Sequence, residues 1–219
     1  MDTQHNSDMP QQQSPMNPQG KDSNRKLKKW NIIIAIIDVI LLLLLIFWPK
    51  QCNRDDIDIA VEEAGGNTGY MGMKLVWNDD GQHIRVDFDA HAIEPGSDHI
   101  YYMRHNQNKG GSPTVLGGYL DVDMLHNHYG TCAENILWPS KEKLADGVYQ
   151  FSVHNFIEPG YDRLYDQHNR GFKAKIYVGN KSFTYNVNQD VPKEQNVKIA
   201  DVTISNGELA DIKHYITPQ

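Results

Sequence analysis

The chain has 219 residues, of which 39% are hydrophobic, 22% charged and 10% aromatic, close to ordinary globular usage, which excludes wholesale disorder and a multi-pass membrane protein. A formal charge of −7 and a pI near 5.8 exclude sequence-independent nucleic-acid binding, which needs a basic footprint. Two cysteines are too few for a disulfide scaffold or a four-cysteine zinc site.

Residues 1–30 open with a Gln-, Asn-, Pro- and Ser-rich stretch without an apolar period. Such a segment cannot bury enough surface to offset its ordering entropy, so a disordered tail is expected, ending in Lys21, Arg25, Lys26, Lys28 and Lys29. From 32 to 48 every residue except Asp38 is apolar or aromatic. At 1.5 Å per residue this run reaches roughly 26 Å, and Trp30 and Trp48 extend it to both interfaces of a bilayer. A single transmembrane helix over 31–48 is predicted. Basic residues precede it and Asp55, Asp56 and Asp58 follow, so the N-terminus is expected in the cytoplasm and the C-terminal part outside.

A cleaved signal peptide is the rival reading. The run ends in Trp48, Pro49, Lys50 and Gln51, without the small residues of a cleavage site, and the same residues argue against lipidation of Cys52. An ionised Asp38 within the span costs roughly 2.5 to 3.5 kcal/mol. It is either a tolerated polar residue or a contact for a membrane partner, including a second copy of the helix.

Residues 49–66 read as a juxtamembrane linker, with a short turn of helix over 59–64. Beyond it, 67–219 shows short alternating runs punctuated by turns, over 71–77, 84–93, 99–104, 118–124, 147–155, 172–178 and 181–187. A closing hairpin, 196–204 with 208–215, turns on Ser205, Asn206 and Gly207. Eight to nine short strands predict an all-β sandwich of immunoglobulin-like or jelly-roll character, preceded by the transmembrane α-helix. Trp77 and Trp138, each ending an apolar run, are expected in its core.

Strand alternation supplies the first functional clue. Ile84, Val86, Phe88, Ala90 and Ala92 share one face, while Asp87, Asp89 and His91 share the other. Leu120, Val122 and Met124 likewise oppose Asp121 and Asp123. Carboxylates so close repel unless a cation, a basic side chain, hydrogen-bond donors or water compensates, and the alternative is a solvated polar face. Asp87, Asp89, His91, Asp121, Asp123 and Glu134 are therefore candidate ligands, with calcium the first choice of cation and no cofactor the alternative. His126, His128 and Cys132 form a second, softer constellation suited to zinc or copper, or an ordinary histidine-bearing turn.

At this point the residues resemble a family. Gly-Gly-Asn-Thr-Gly at 65–69, Leu-Val-Trp-Asn at 75–78, Asp-Phe-Asp-Ala-His-Ala-Ile-Glu-Pro at 87–95 and Ile-Tyr-Tyr at 100–102 are similar to the YfaP-like bacterial domain. The series continues with Gly-Gly-Tyr-Leu-Asp-Val-Asp at 117–123, Glu-Asn-Ile-Leu-Trp-Pro at 134–139 and Gly-Val-Tyr-Gln-Phe-Ser-Val-His-Asn at 147–155. The resemblance covers roughly 65–187 and implies a secreted or envelope-associated β-sandwich without a settled biochemical activity. Two departures stand out: Ala90, where the family pattern has a larger aliphatic, and a long insertion over 103–116. A more distant similarity, through Asp-Phe-Asp-Ala and the Tyr-Tyr strand, is to TerD-like calcium-binding sandwiches.

Tyr101, Tyr102, Tyr161 and Tyr165 are candidates for a ligand or partner surface, with strand packing the plainer alternative. No nucleophile elbow, phosphate-binding loop, dinucleotide fingerprint or His-Glu-x-x-His segment occurs, so no catalytic residue is assigned. A disulfide between Cys52 and Cys132 is left open. The expected function is a membrane-anchored, extracytoplasmic module, calcium-stabilised, that binds an envelope protein or glycan and does not bind nucleic acid. A metal-dependent hydrolase of envelope glycan or peptide is the first alternative. A structural spacer in a membrane complex is the second.

Overall fold

The computed structural model describes residues 30, 31, 33–40, 55–79, 86–125, 130–156 and 171–219. The chain divides into two compact units, Met1–Asn53 and Arg54–Gln219. In the first, the described residues are helical and carry exposed Ile33, Ile34, Ile36, Ile37, Val39 and Ile40. Asp38 lies on this helical stretch. Among the described residues no helix is long and apolar enough to cross a membrane, and the second half of the predicted 31–48 span lies outside them.

The second unit is an all-β sandwich with one docked helix, α1 (Asp56–Glu63). Its strands are β1 (Met71–Asp79), β2 (Phe88–Ile93), β3 (His99–Ile100), β4 (Tyr119–Asp123), β5 (Gly130–Trp138), β6 (Gly147–Asn155), β7 (Phe172–Val178), β8 (Lys181–Val187), β9 (Asn196–Ser205) and β10 (Glu208–His214). They form two five-stranded sheets in the orders β4-β5-β1-β7-β8 and β10-β9-β6-β2-β3, with every described strand pair antiparallel.

Alternation in each strand builds the layer between the sheets. Met71, Met73, Leu75 and Trp77 of β1 meet Phe88, Ala90 and Ala92 of β2 and Tyr149, Phe151 and Val153 of β6 in one buried cluster. Trp138 packs edge-on against Tyr149 and Phe151, with ring centroids 5.4 and 5.9 Å apart. Both predicted core tryptophans also satisfy their indole N–H: Trp77 donates to the Val86 carbonyl at 2.8 Å and Trp138 to Glu94 Oε1 at 2.6 Å.

Where the sequence suggests a linker, the chain forms α1 and packs it on the outer face of the first sheet. Ile57 and Val61, one turn apart, are buried against Val76 and Ala133. Asp55 caps the helix by accepting the Asp58 N–H at 2.9 Å. Asp58 then binds Lys74 at 2.7 Å and Lys175 at 2.6 Å, and Lys175 also reaches Asp55 at 2.8 Å. The acidic run read as solvated connector thus meets two lysines projecting from the middle of a sheet.

Strand β5 is absent from the sequence reading although it lies between β4 and β1. Its burial is nearly continuous from Cys132 to Trp138, on both faces, so period-two alternation has no exposed side to reveal. Strand β3 is only two residues long, followed by an isolated bridge between Tyr101 and Arg104. The closing hairpin forms as the Asn206-Gly207 pair predicts, with φ of 53° and 72° at the two turn residues.

Candidate metal centre

Strand β2 carries the site. Asp89 and His91 lie on one of its faces, and β6 sets His154 directly opposite Asp89. An i, i+2 pair with a cross-strand neighbour brings three side chains within a few ångströms. One ligand atom each from Asp89, His91 and His154 lies within 4.8 Å of the others. His154 Nδ1 is 4.0 Å from Asp89 Oδ2.

The sequence places Asp87, Asp89 and His91 on the strand face opposite the apolar one, either compensated by a cation or solvated. The structure buries Asp87 and Asp89, which keep only 3% and 1% of their surface exposed. The open half of β2 explains part of this. Only Ala92 and Ile93 pair with β3, so among the described residues the amide of Ala90 has no strand partner on that side. Glu134 crosses from the other sheet and accepts this N–H at 2.5 Å.

A β-bulge brings Asp123 to the same place. Leu120 pairs with Ile136, but after the irregularity Val122 pairs with Asn135 and Asp123 with Glu134. One extra residue exchanges the faces of everything beyond it. The predicted sharing of a face by Asp121 and Asp123 is therefore corrected. Asp123 joins Glu134, whereas Asp121 accepts from the Asn67 backbone at 2.6 Å, the Asn67 side chain at 3.0 Å and Asn135 at 3.0 Å. Asp121 secures the entry to β1 and is not part of the acidic cluster.

The insertion over 103–116 folds over Asp123. Asn106 donates to Asp123 Oδ2 at 2.5 Å, and Lys109 lies 3.0 Å from the same oxygen and 5.2 Å from the Tyr102 ring centroid. Asn106 also donates to the Tyr102 carbonyl at 2.9 Å. Among the described residues, Asp89 Oδ2, Asp123 Oδ1, Glu134 Oε1 and His91 Nε2 are buried without a hydrogen-bond partner. Such atoms cost free energy in a protein interior, and four around one locus leave a hydrogen-bonding demand that the described protein groups do not meet.

Electrostatics divide the cluster: the contact with Asp89 raises His154 and favours its charged form, while burial acts on the others. Burial, then repulsion from Asp89, Asp123 and Asp87, holds the Glu134 carboxyl well above its usual range against the Ala90 amide. Burial also raises Asp89, with His154 and Lys109 opposing and Asp123 adding. His91 is pushed down to about 3 by burial and by the neighbouring His99 and His154, so it is a neutral imidazole at physiological pH. Its Nδ1 is 2.9 Å from His99 Nε2. In the tautomer where Nδ1–H donates to His99, Nε2 keeps a bare lone pair.

Tyr101 stacks on His99 and His91 with centroids 4.5 and 5.3 Å away, and Tyr102 lies edge-on to Tyr101 at 5.4 Å. Both predicted surface tyrosines are half-buried beside the cluster, while Tyr161 and Tyr165 lie outside the described residues. So do His126, His128 and Cys52. Cys132 is buried in the inter-sheet core opposite Trp77 of β1. A cavity of about 510 Å³ lies beneath α1, and two of its three lining lysines, Lys74 and Lys175, are committed to Asp58.

His154, His99, Asn106 and Lys109 are absent from the sequence-based site. His154 sits in the Val-His-Asn end of a correctly read strand, and only the pairing of β6 with β2 shows that it faces Asp89. Together these features define a two-sheet antiparallel β-sandwich with a cluster of buried carboxylates and half-buried imidazoles at the open half of β2. Comparison of the chain with protein-family models, curated proteins and solved structures finds no match.

Proposed function

We propose that the chain is a single-pass membrane protein, N-terminus in the cytoplasm, displaying its sandwich outside as a non-enzymatic module that binds an envelope protein or glycan. A divalent cation among the buried carboxylates stabilises the module. The observation that carries the binding role is the ring surface of Tyr101, stacked on His99, and Tyr102, edge-on to it, held against the acidic cluster, since half-buried rings on a rigid support suit stacking on a sugar or apolar side chain. The connections support an immunoglobulin-like or jelly-roll class, because the chain passes between sheets from β1 to β2, β3 to β4, β5 to β6, β6 to β7 and β8 to β9. The run over 32–48 and the resemblance of 65–187 to YfaP-like domains support the location.

Two measurements on the full chain in native membranes test this reading. Protease added to intact spheroplasts should digest the C-terminal domain and spare a tag at the N-terminus; the reverse pattern overturns the topology. Tyr101→Ala and Tyr102→Ala should each weaken binding to purified envelope glycan or peptide about tenfold, which corresponds to roughly 1.4 kcal/mol. Wild-type protein that binds neither, or variants that bind as well as wild type, overturn the binding role.

One observation favours a second reading, a metal-dependent hydrolase of the same envelope material: neutral His91 beside buried Asp89 is the combination that activates a metal-bound water. Cleaved product released by metal-loaded wild type and not by Glu134→Gln would establish it in place of the binding module.

A further inference from the structure

We propose that Asp89, His91 and His154 form a site for a borderline transition metal of the zinc class, with Glu134 and Asp123 as the surrounding charges. This rests on the reading that the sandwich holds a cation and names the chemistry of that cation.

The donor set decides the class. Calcium takes six to eight oxygens, whereas imidazole nitrogen suits zinc, copper, nickel or iron. Here two of the three mutually close donors are imidazoles, and the third is a carboxylate that retains only 1% exposure. Two histidines and one carboxylate complete the protein share of a four-coordinate site and leave one position open. An ion with ligand bonds of about 2.1 Å spans at most ~4.2 Å between two donors, so the 4.0 Å separation of His154 and Asp89 needs only small side-chain rotations to close on it.

A second, independent observation points to the same locus. Asp89 Oδ2 and Glu134 Oε1 are fully enclosed and lack hydrogen-bond partners among the described residues, and His91 Nε2 is likewise unpartnered. The His99 contact to His91 Nδ1 supplies the outer hydrogen bond that metal-bound histidines commonly have, fixing which nitrogen faces the ion. Lys109 remains on Asp123 Oδ2, so one acid of the cluster keeps a protein partner and the net charge left for a divalent ion is reduced. Where the sequence suggests a mainly carboxylate set with calcium as its cation, this proposal puts nitrogen donors at the centre, one of them from β6.

The test uses the full chain in detergent, stripped with chelator and then given zinc or calcium separately, reading bound metal per chain and the shift in melting temperature. The expected result is one zinc per chain with a raised Tm, both lost in His154→Gln and His91→Gln and both kept in Asp121→Asn. His154 is one-fifth exposed, so His154→Gln is the variant to read if His91→Gln does not fold. Cobalt loaded into wild type should show visible d–d bands of a nitrogen and oxygen site that change in His154→Gln. Calcium binding that ignores the histidine variants but fails in Asp123→Asn overturns this proposal and leaves the cation reading standing. Binding of neither ion overturns both.

Discussion

Glu134 shows how one side chain can carry two opposed duties. Its Oε2 accepts the Ala90 amide N–H, while its carboxyl faces Asp89, Asp123 and Asp87 in a buried setting. A carboxyl whose folded pKa is raised contributes stability fully present below its unfolded pKa, about 4.3, and loses it as pH rises through the folded value. Glu134→Gln keeps an acceptor for Ala90 and removes the charge. In chelator, melts of the variant and wild type should diverge with pH, the variant becoming relatively more stable at pH 8 than at pH 5. Equal displacement at both pH values would show that the carboxyl does not carry the penalty. The sequence names Glu134 as a candidate ligand because it is acidic. That it projects inward from a central strand depends on two neighbouring strands and cannot be read from its own surroundings.

Among the elements, legibility follows exposure. Strands with one wet face, such as β6 and β8, alternate visibly and their bounds are read correctly. The two-residue turn of the last hairpin is equally plain, because Asn-Gly suits the left-handed conformation both positions need. β5 hides for the opposite reason, since Glu134 and Asn135 interrupt an apolar run that is buried on both sides. The bulge in β4 is invisible because nothing in Leu-Asp-Val-Asp marks which residue is extra. Helix α1 is missed in part because its acidic first turn reads as a solvated connector.

That helix has its own pH response. Burial pushes the Asp58 carboxyl up, but hydrogen bonds from Lys175 and Lys74 outweigh this and hold it below its ordinary value. A depressed carboxyl contributes stability that is present above the unfolded pKa and is lost as pH falls through the folded one. The docking of α1 should therefore persist down to about pH 4 and loosen below it. Hydrogen exchange at the Val61 amide checks this, and Lys175→Met should move the loosening to higher pH.

For the whole molecule, the folded unit begins at Arg54, ahead of the boundary at 67 that turn chemistry and Gly65-Gly66 suggest. A fragment starting at residue 54 should unfold cooperatively. One starting at 67 strips Ile57 and Val61 from Val76 and Ala133, losing burial worth roughly 1.5 to 3 kcal/mol for each side chain, along with the partners of Lys74 and Lys175. Its melting midpoint should be lower by ten degrees or so, on the scale of ~2–4 °C per kcal/mol for a domain of this size. Equal midpoints would mean that the helix is dispensable. Fold class is legible because it needs only the count and period of strands. The site is less so because its members come from β2, β4, β5, β6 and the covering loop, and their meeting is a property of topology.

The single amide that Glu134 holds has a further use. Backbone N–H groups at an unpaired strand margin ordinarily trade their hydrogen for deuterium within moments, yet that of Ala90 is sealed by a carboxylate from the opposite sheet. Its isotope exchange should be slow, and slower still when an ion draws the surrounding acids together. One resonance in a spectrum then serves as a clock for the occupancy of the whole centre, read without touching any of the residues that compose it.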